Sequence, residues 1–229
     1  MSESFTPDDV RQKYIALMGN DLGEAYYELW QDVNRLHIEW IEYVELYGTK
    51  PSRIDMLNEV ASQFFYIVEK SLWNTIFLHI TRLIDPPQSM NRKNLSLQQL
   101  KELITDDKLK SELINKINEA VEKSKFCRDW RNRRIAHNDY ELALYDTAKP
   151  LEFASRKLVN EAIKAIDEVM DCISMYYEKS TTAFDLIGDL NGAHSLLYYL
   201  NIGLKAEKKR EERLSSGKYD EDDFKHDSF

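Results

Sequence analysis

Apolar residues return every three or four positions through most of this chain, and very little between them can break a helix. Its 229 residues include only 7 glycines and 5 prolines. That is too few for the frequent turns of an all-β architecture, so the spacing predicts an all-α fold. Thr6-Pro7-Asp8-Asp9 reads as a helix start, with Thr6 as N-cap, Pro7 at the first helical position and acids in the first turn. This helix is expected to end near Gly19. A longer one runs from about Asp21 to Tyr47, with Leu29, Val33, Leu36, Trp40 and Val44 at helical spacing. The next, from about Ser52 to Ile84, aligns Phe64, Val68, Leu72, Ile76, Ile80 and Ile84. Phe65, Trp73 and Phe77 widen that stripe, so this helix is expected to be buried on much of its circumference, with Trp40, Phe64, Trp73 and Phe77 in the core.

Asp85-Pro86-Pro87 stops the apolar helix, and 87–94 reads as a polar loop. Ser96-Leu97-Gln98-Gln99 matches a capping box that opens a short helix. Asp106 then caps a helix in which Leu109, Leu113, Ile117 and Val121 repeat every four residues, continuing through Trp130 towards His137. His137-Asn138-Asp139-Tyr140 reads as a terminus or turn, because Asn and Asp favour caps over helix interiors. A loop follows to Pro150. Ser155 caps an amphipathic helix carrying Leu158, Ile163, Ile166, Val169, Met170 and Ile173, and a Gly188–Gly192 connection leads to a last helix, Ala193 to about Leu214. Together these predict an antiparallel helical bundle with additional helices, in one domain over 1–214. The acidic tail, 215–229, has the composition of a disordered segment.

The net charge of −9 opposes indiscriminate coating of nucleic acid, because the diffuse field repels phosphate. An RNA or DNA role therefore requires a concentrated positive site. Two cysteines, Cys127 and Cys172, make no disulfide framework, and no apolar run reaches membrane-spanning length. The first residues lack the basic and apolar regions of a signal peptide, so a cytoplasmic protein with no membrane partner is expected.

The positive site exists. Between Lys123 and Arg134 stand six Lys or Arg against one Asp, and Ile135, Ala136 and His137 follow at once. Arginines this close repel one another, so their collection calls for a reason. The guanidinium grips phosphate through paired N–H groups, and an imidazole exchanges protons near neutral pH. Together they offer what RNA cleavage without a metal requires: a group that removes the 2′-hydroxyl proton, and cations that stabilise the charge building on phosphorus. On a regular helix of 100° per residue, His137 shares a face with Arg133 and Arg134, while Arg131 lies about 120° away. A helix that ends or distorts near His137 relaxes that restriction.

Arg131-Asn132-Arg133-Arg134-Ile135-Ala136-His137 resembles the motif of the HEPN superfamily, an arginine followed by a polar residue and, after a short spacer, a histidine. The wider pattern is similar to its abortive-infection, AbiU-like branch. There a helix such as Leu72-Trp73-Asn74-Thr75 through Arg82-Leu83-Ile84-Asp85 precedes the motif, and one like His194-Ser195-Leu196-Leu197 follows. The resemblance extends from about Glu24 to Leu214. It implies a HEPN-like helical fold and a metal-independent endoribonuclease without cofactor, a homodimer acting on RNA as a toxin or phage-defence effector. An antitoxin or regulatory protein is the further partner it implies. Arg131 and His137 are then catalytic, with Asn132 orienting the site. Arg128, Arg133 and Arg134 join Asn132 as expected substrate-binding residues, and Asp139 is a supporting one. Where some relatives carry a modifiable tyrosine two residues after the histidine, this chain has Asp139, with Tyr140 one later, so that modification is not expected.

Two other readings compete. The arginines can form a surface ion network with Asp129, Asp139 and Glu141, or the segment can belong to a non-catalytic HEPN-like helical module that binds RNA or a protein partner. Arg82 and Asp85 read as an ion pair at a helix end, with a supporting role for the motif as the alternative. His37, His79 and His194 read as buried or half-buried structural histidines. Cys127 has basic neighbours that can lower its pKa. No glycine-rich phosphate loop, cysteine cluster or paired-histidine spacing points to a metal or cofactor.

Overall fold

Thr6 caps the first helix in the computed structural model, which describes residues 6–89, 91–182, 184 and 191–218. The Thr6 hydroxyl accepts from the Asp9 N–H at 3.2 Å and the Asp9 carboxylate accepts from the Thr6 N–H at 2.8 Å, a complete capping box. Helix α1, Pro7–Met18, ends at Gly19, whose φ of 84° suits a residue without Cβ. Helix α2 spans Asn20–Tyr47 and α3 spans Pro51–Leu83. After them come α4 (Leu97–Leu103), α5 (Asp107–Lys123), α6 (Lys125–Trp130), a π-helical turn (Arg131–Ile135), α7 (Tyr140–Leu144), α8 (Arg156–Tyr177) and α9 (Ala193–Ser215). The fold is all-α, and the boundary signals read from the sequence fall within a few residues of these ends. No helix among the described residues is long and apolar enough to cross a membrane.

The chain divides into two compact units. The first comprises 1–41 and 71–188, the second 42–70 and 189–229. In the first, α5 lays Leu109, Leu113, Ile117 and Ala120 against α8, which contributes Val159, Ile163, Ile166, Val169, Met170 and Ile173. The N-terminal part of α2 adds Tyr26, Leu29, Val33 and Leu36, and the C-terminal part of α3 adds Ile76, Phe77, Ile80 and Leu83, all buried. Polar ties pin the edges: His37 Nε2 meets Asp167 at 2.8 Å and the Trp40 indole N–H donates to Asn160 at 2.6 Å.

Gly23 lies where the α2 backbone packs tightly against α1. A Cβ there would stand 2.6 Å from the Ile15 Cα and 2.7 Å from the Ile15 nitrogen, both backbone atoms that cannot swing aside. Gly23→Ala is therefore expected to destabilise the protein by about 1–3 kcal/mol through overpacking, although alanine alone favours a helix by about 1 kcal/mol. Urea unfolding of the two proteins reads the sign.

Among the described residues of the second unit, Tyr43, Leu46, Leu57, Phe65, Ala193 and Leu197 are buried and apolar. The Glu42 carboxylate accepts from the Ala193 N–H at 2.5 Å and so caps α9. Helix α3 is interrupted here, at Ala61, by non-helical backbone angles.

Several expectations need correction. Phe64 is 60% exposed and its neighbour Phe65 is buried instead; a stripe at four-residue spacing drifts about 40° per step, which leaves Phe64 about 120° from Ile76 and Phe65 only about 20° from it. Ser96 makes no capping hydrogen bond, because its hydroxyl is buried without a partner and Gln98 turns to the Ile84 carbonyl at 2.8 Å. The 87–94 loop contains a small hairpin, Gln88–Ser89 against Arg92–Lys93, with Asn91 at φ 63° in its turn. The helix expected to run unbroken from Asp106 towards His137 breaks at Ser124, whose ψ of 4° interrupts it. His194 is exposed rather than buried. Gly188 and residues 219–229, most of the expected tail, lie outside the described residues.

Candidate functional site

Helix α6 is held by its aromatic residues. Phe126 and Trp130 set their rings edge-on to the buried Phe77 of α3, at 5.4 and 5.6 Å between centroids. The Trp130 indole N–H donates to the Glu152 carbonyl at 2.8 Å, and the Asp129 carboxylate accepts from the Glu152 N–H at 2.9 Å. The basic segment is thereby fixed against the end of α3 before any arginine is considered.

The chain then widens into the π-turn, where the Ala136 N–H donates to the Arg131 carbonyl at 2.8 Å, an i→i+5 bond. The Asp139 N–H returns to the Arg133 carbonyl at 3.0 Å, and the Asp139 side chain caps α7 by accepting from the Leu142 N–H at 2.8 Å. The regular 100° arithmetic therefore does not apply between Arg131 and His137. Helix α7 itself was not legible, because 140–149 lacks a repeat long enough to read.

Each arginine of the segment has a distinct setting. Arg131 places Nη1 3.0 Å from both oxygens of Asp85, and its Nε donates to Asn132 Oδ1 at 3.2 Å. Its side chain remains 31% exposed and that of Asp85 26%, so the guanidinium is oriented yet reachable. Arg128 approaches the same carboxylate at 3.6 Å and the Ile84 carbonyl at 3.4 Å. Arg133 turns inward: it donates to the Lys149 and Pro150 carbonyls at 2.6 and 3.3 Å and pairs with Asp129 and Asp139 at 3.7 Å each. Arg134 and Asn132 are exposed. His137 is exposed too, and makes no hydrogen bond or ion pair with a described residue.

The expected Arg82–Asp85 pair does not form. Arg82 reaches across to Asp32 of α2 at 3.2 Å, and Asp85 is taken by the motif arginines. Asp85 thus supports the motif, the alternative its sequence position had left open, and the 46-residue separation from Arg131 hid the pairing. Beside Arg131 lies a cleft of about 420 Å³ lined by residues of α2 and α3, among them Arg35, Glu39, His79 and Arg82. No sequence pattern marked it.

Cys127 is fully buried, and burial pushes its thiol up, opposite to the lowering its basic neighbours implied. Burial also raises the half-buried Cys172, to about 11. Both thiols are expected to react slowly with a small aromatic disulfide at pH 7.5 and promptly once urea unfolds the chain. Rapid labelling of one cysteine in the folded protein would contradict this burial.

The sequence model of the HEPN family described as AbiU2 matches residues 19–195. No curated protein and no solved structure gives a significant match. The matched span contains the π-turn, Asp85 and the cleft beside Arg131.

Proposed function

Because the chain belongs to the AbiU2 family of HEPN domains, a HEPN-type abortive-infection module, we propose that it is a metal-independent endoribonuclease acting as a toxin or phage-defence effector in the cytoplasm. The observation that carries this reading is the contrast between two residues of the motif. Arg131 is clamped on Asp85 and Asn132, while His137 stands exposed and unpaired. A positioned cation and a free imidazole, six residues apart in the chain, are the two groups that phosphodiester transfer needs.

In the proposed reaction His137 removes the proton of a ribose 2′-hydroxyl. The 2′-oxygen attacks the adjacent phosphorus, and Arg131 stabilises the added negative charge. The bond to the 5′-oxygen breaks, that oxygen takes a proton, and the products end in a 2′,3′-cyclic phosphate and a 5′-hydroxyl. One His137 cannot be base and acid in the same step, so a second copy supplies the acid from its own motif. Exposed apolar side chains in the chain that follows His137 support such a pairing: Tyr140, Leu144, Tyr145 and Phe153. Arg134, Asn132 and Arg128 would hold the RNA, while Arg133 and Asp139 keep the turn and the 149–150 loop in place.

Induced expression in a bacterial host tests the reading. Growth arrest with fragmented total RNA is expected for the wild type and normal growth for His137→Ala. RNA that stays intact while the purified protein retains it on a filter would favour the non-catalytic binding module instead.

A further inference from the structure

Four arginines share two carboxylates beside the motif: Arg35 and Arg82 lie 3.8 and 3.2 Å from Asp32, and Arg128 and Arg131 lie 3.6 and 3.0 Å from Asp85. The third acid, Glu39, accepts a hydrogen bond from the His79 Nδ1–H at 2.9 Å, so four arginines stand against three carboxylates. Positive charge is therefore in surplus here, in a chain whose net charge is −9. The cleft among these residues measures about 420 Å³, within the usual range for a site that takes one small ligand. His79 is 3% exposed, and its Nε2 is buried without a hydrogen-bond partner, with Asp32 4.0 Å away. Buried polar atoms are ordinarily satisfied, and this ring, held in place by Glu39, keeps one nitrogen able to make a further hydrogen bond. Thr75 adds an exposed hydroxyl to the lining.

We propose that this cleft is the subsite for one unpaired nucleotide of a single-stranded RNA, next to the phosphate held by Arg131. The inference rests on the ribonuclease reading above. Arg131 lines the cleft and also belongs to the motif turn, so a strand with its scissile phosphate at Arg131 brings a neighbouring nucleotide to the cleft. Arg82 and Arg35 take that nucleotide's phosphate through charge-assisted hydrogen bonds. The cleft then receives a ribose or base, whose polar groups pair with the histidine. A duplex holds its bases stacked and paired and cannot lower one into a cleft, whereas a single strand can.

The test is fluorescence anisotropy of a labelled hexaribonucleotide on full-length His137→Ala protein, which binds without cutting. Adding Arg35→Ala and Arg82→Ala together is expected to weaken binding about tenfold. Thr75→Asp, which places a negative charge at an exposed position, should weaken it by a similar factor. Lys164→Ala, on the exposed side of α8, is the control for charge loss alone and should leave binding within about twofold. The same sequence as a duplex should bind at least about tenfold more weakly. Equal affinity of all variants, equal affinity for the duplex, or full displacement by a free mononucleotide at hexamer-like affinity would overturn the proposal. The two readings fail separately. Wild-type protein that cuts RNA while cleft variants keep an unchanged KM sinks the subsite alone. Absence of cutting, with binding that still depends on the cleft, sinks the ribonuclease alone.

Discussion

His137→Ala is expected to lower the rate of RNA cleavage by about 10²–10⁴-fold, the usual worth of a positioned proton-transfer group. Stability should move by no more than about 0.5 kcal/mol, because the side chain is exposed and makes no contact whose loss the fold would feel. RNA affinity should hold within about twofold, since the charge that grips phosphate belongs to the arginines. A two-copy site adds a sharper consequence. If one histidine is base and the other acid in a single cleavage, a mixed dimer with one His137→Ala chain lacks one of the two. Excess mutant mixed into wild type should then suppress activity more steeply than dilution alone. Suppression no greater than dilution would show that each chain cuts by itself.

Asp85→Ala should reduce kcat by about 10²-fold, the scale of loss when a catalytic group is displaced by about an ångström. The carboxylate holds Arg131 at 3.0 Å and Arg128 at 3.6 Å. Without it the two guanidiniums face one another at the end of α3 with no anion between them. The cost in stability should be small, about 1 kcal/mol, because these groups are a quarter to a third exposed and water screens them. Asp85→Asn keeps the shape and one acceptor oxygen while removing the charge, so its kcat should fall between those of wild type and Asp85→Ala. A purely structural aspartate would instead lower the unfolding midpoint in both variants and leave kcat of the folded protein unchanged.

Sequence and structure agree where local chemistry decides the outcome. Thr6, Gly19, Asp106 and Ser155 each end or open a helix through their own backbone or side-chain hydrogen bonds, and each does so in the fold. The core face of α8 was legible because one unbroken α-helical register runs through it. Departures occur where that register fails. The break at Ser124 has neither glycine nor proline to announce it, and the π-turn cancels the wheel that set Arg131 apart from His137. In α3, by contrast, the register holds past Ala61, but a four-residue stripe drifts about 40° per step, and Phe65 rather than Phe64 falls on the buried face.

The site was half legible for a similar reason. Arg131, Asn132 and His137 are close in sequence, so a short motif and a reversal of charge were enough to mark them. Asp85 was visible only as a helix end, because its attachment to Arg131 comes from α6 docking its aromatic residues on Phe77. The cleft draws on α2, α3 and the turn together, and no single stretch of chain carries that pattern.

The most direct test of metal-independent acid–base cleavage is incubation of the purified wild-type protein with end-labelled RNA in excess chelator, followed by identification of the new termini. Fragments ending in 2′,3′-cyclic phosphate with 5′-hydroxyl partners, absent with His137→Ala, are the predicted result. Fragments ending in 3′-hydroxyl, cleavage that appears only when a divalent ion is added, or equal cutting by His137→Ala would contradict it.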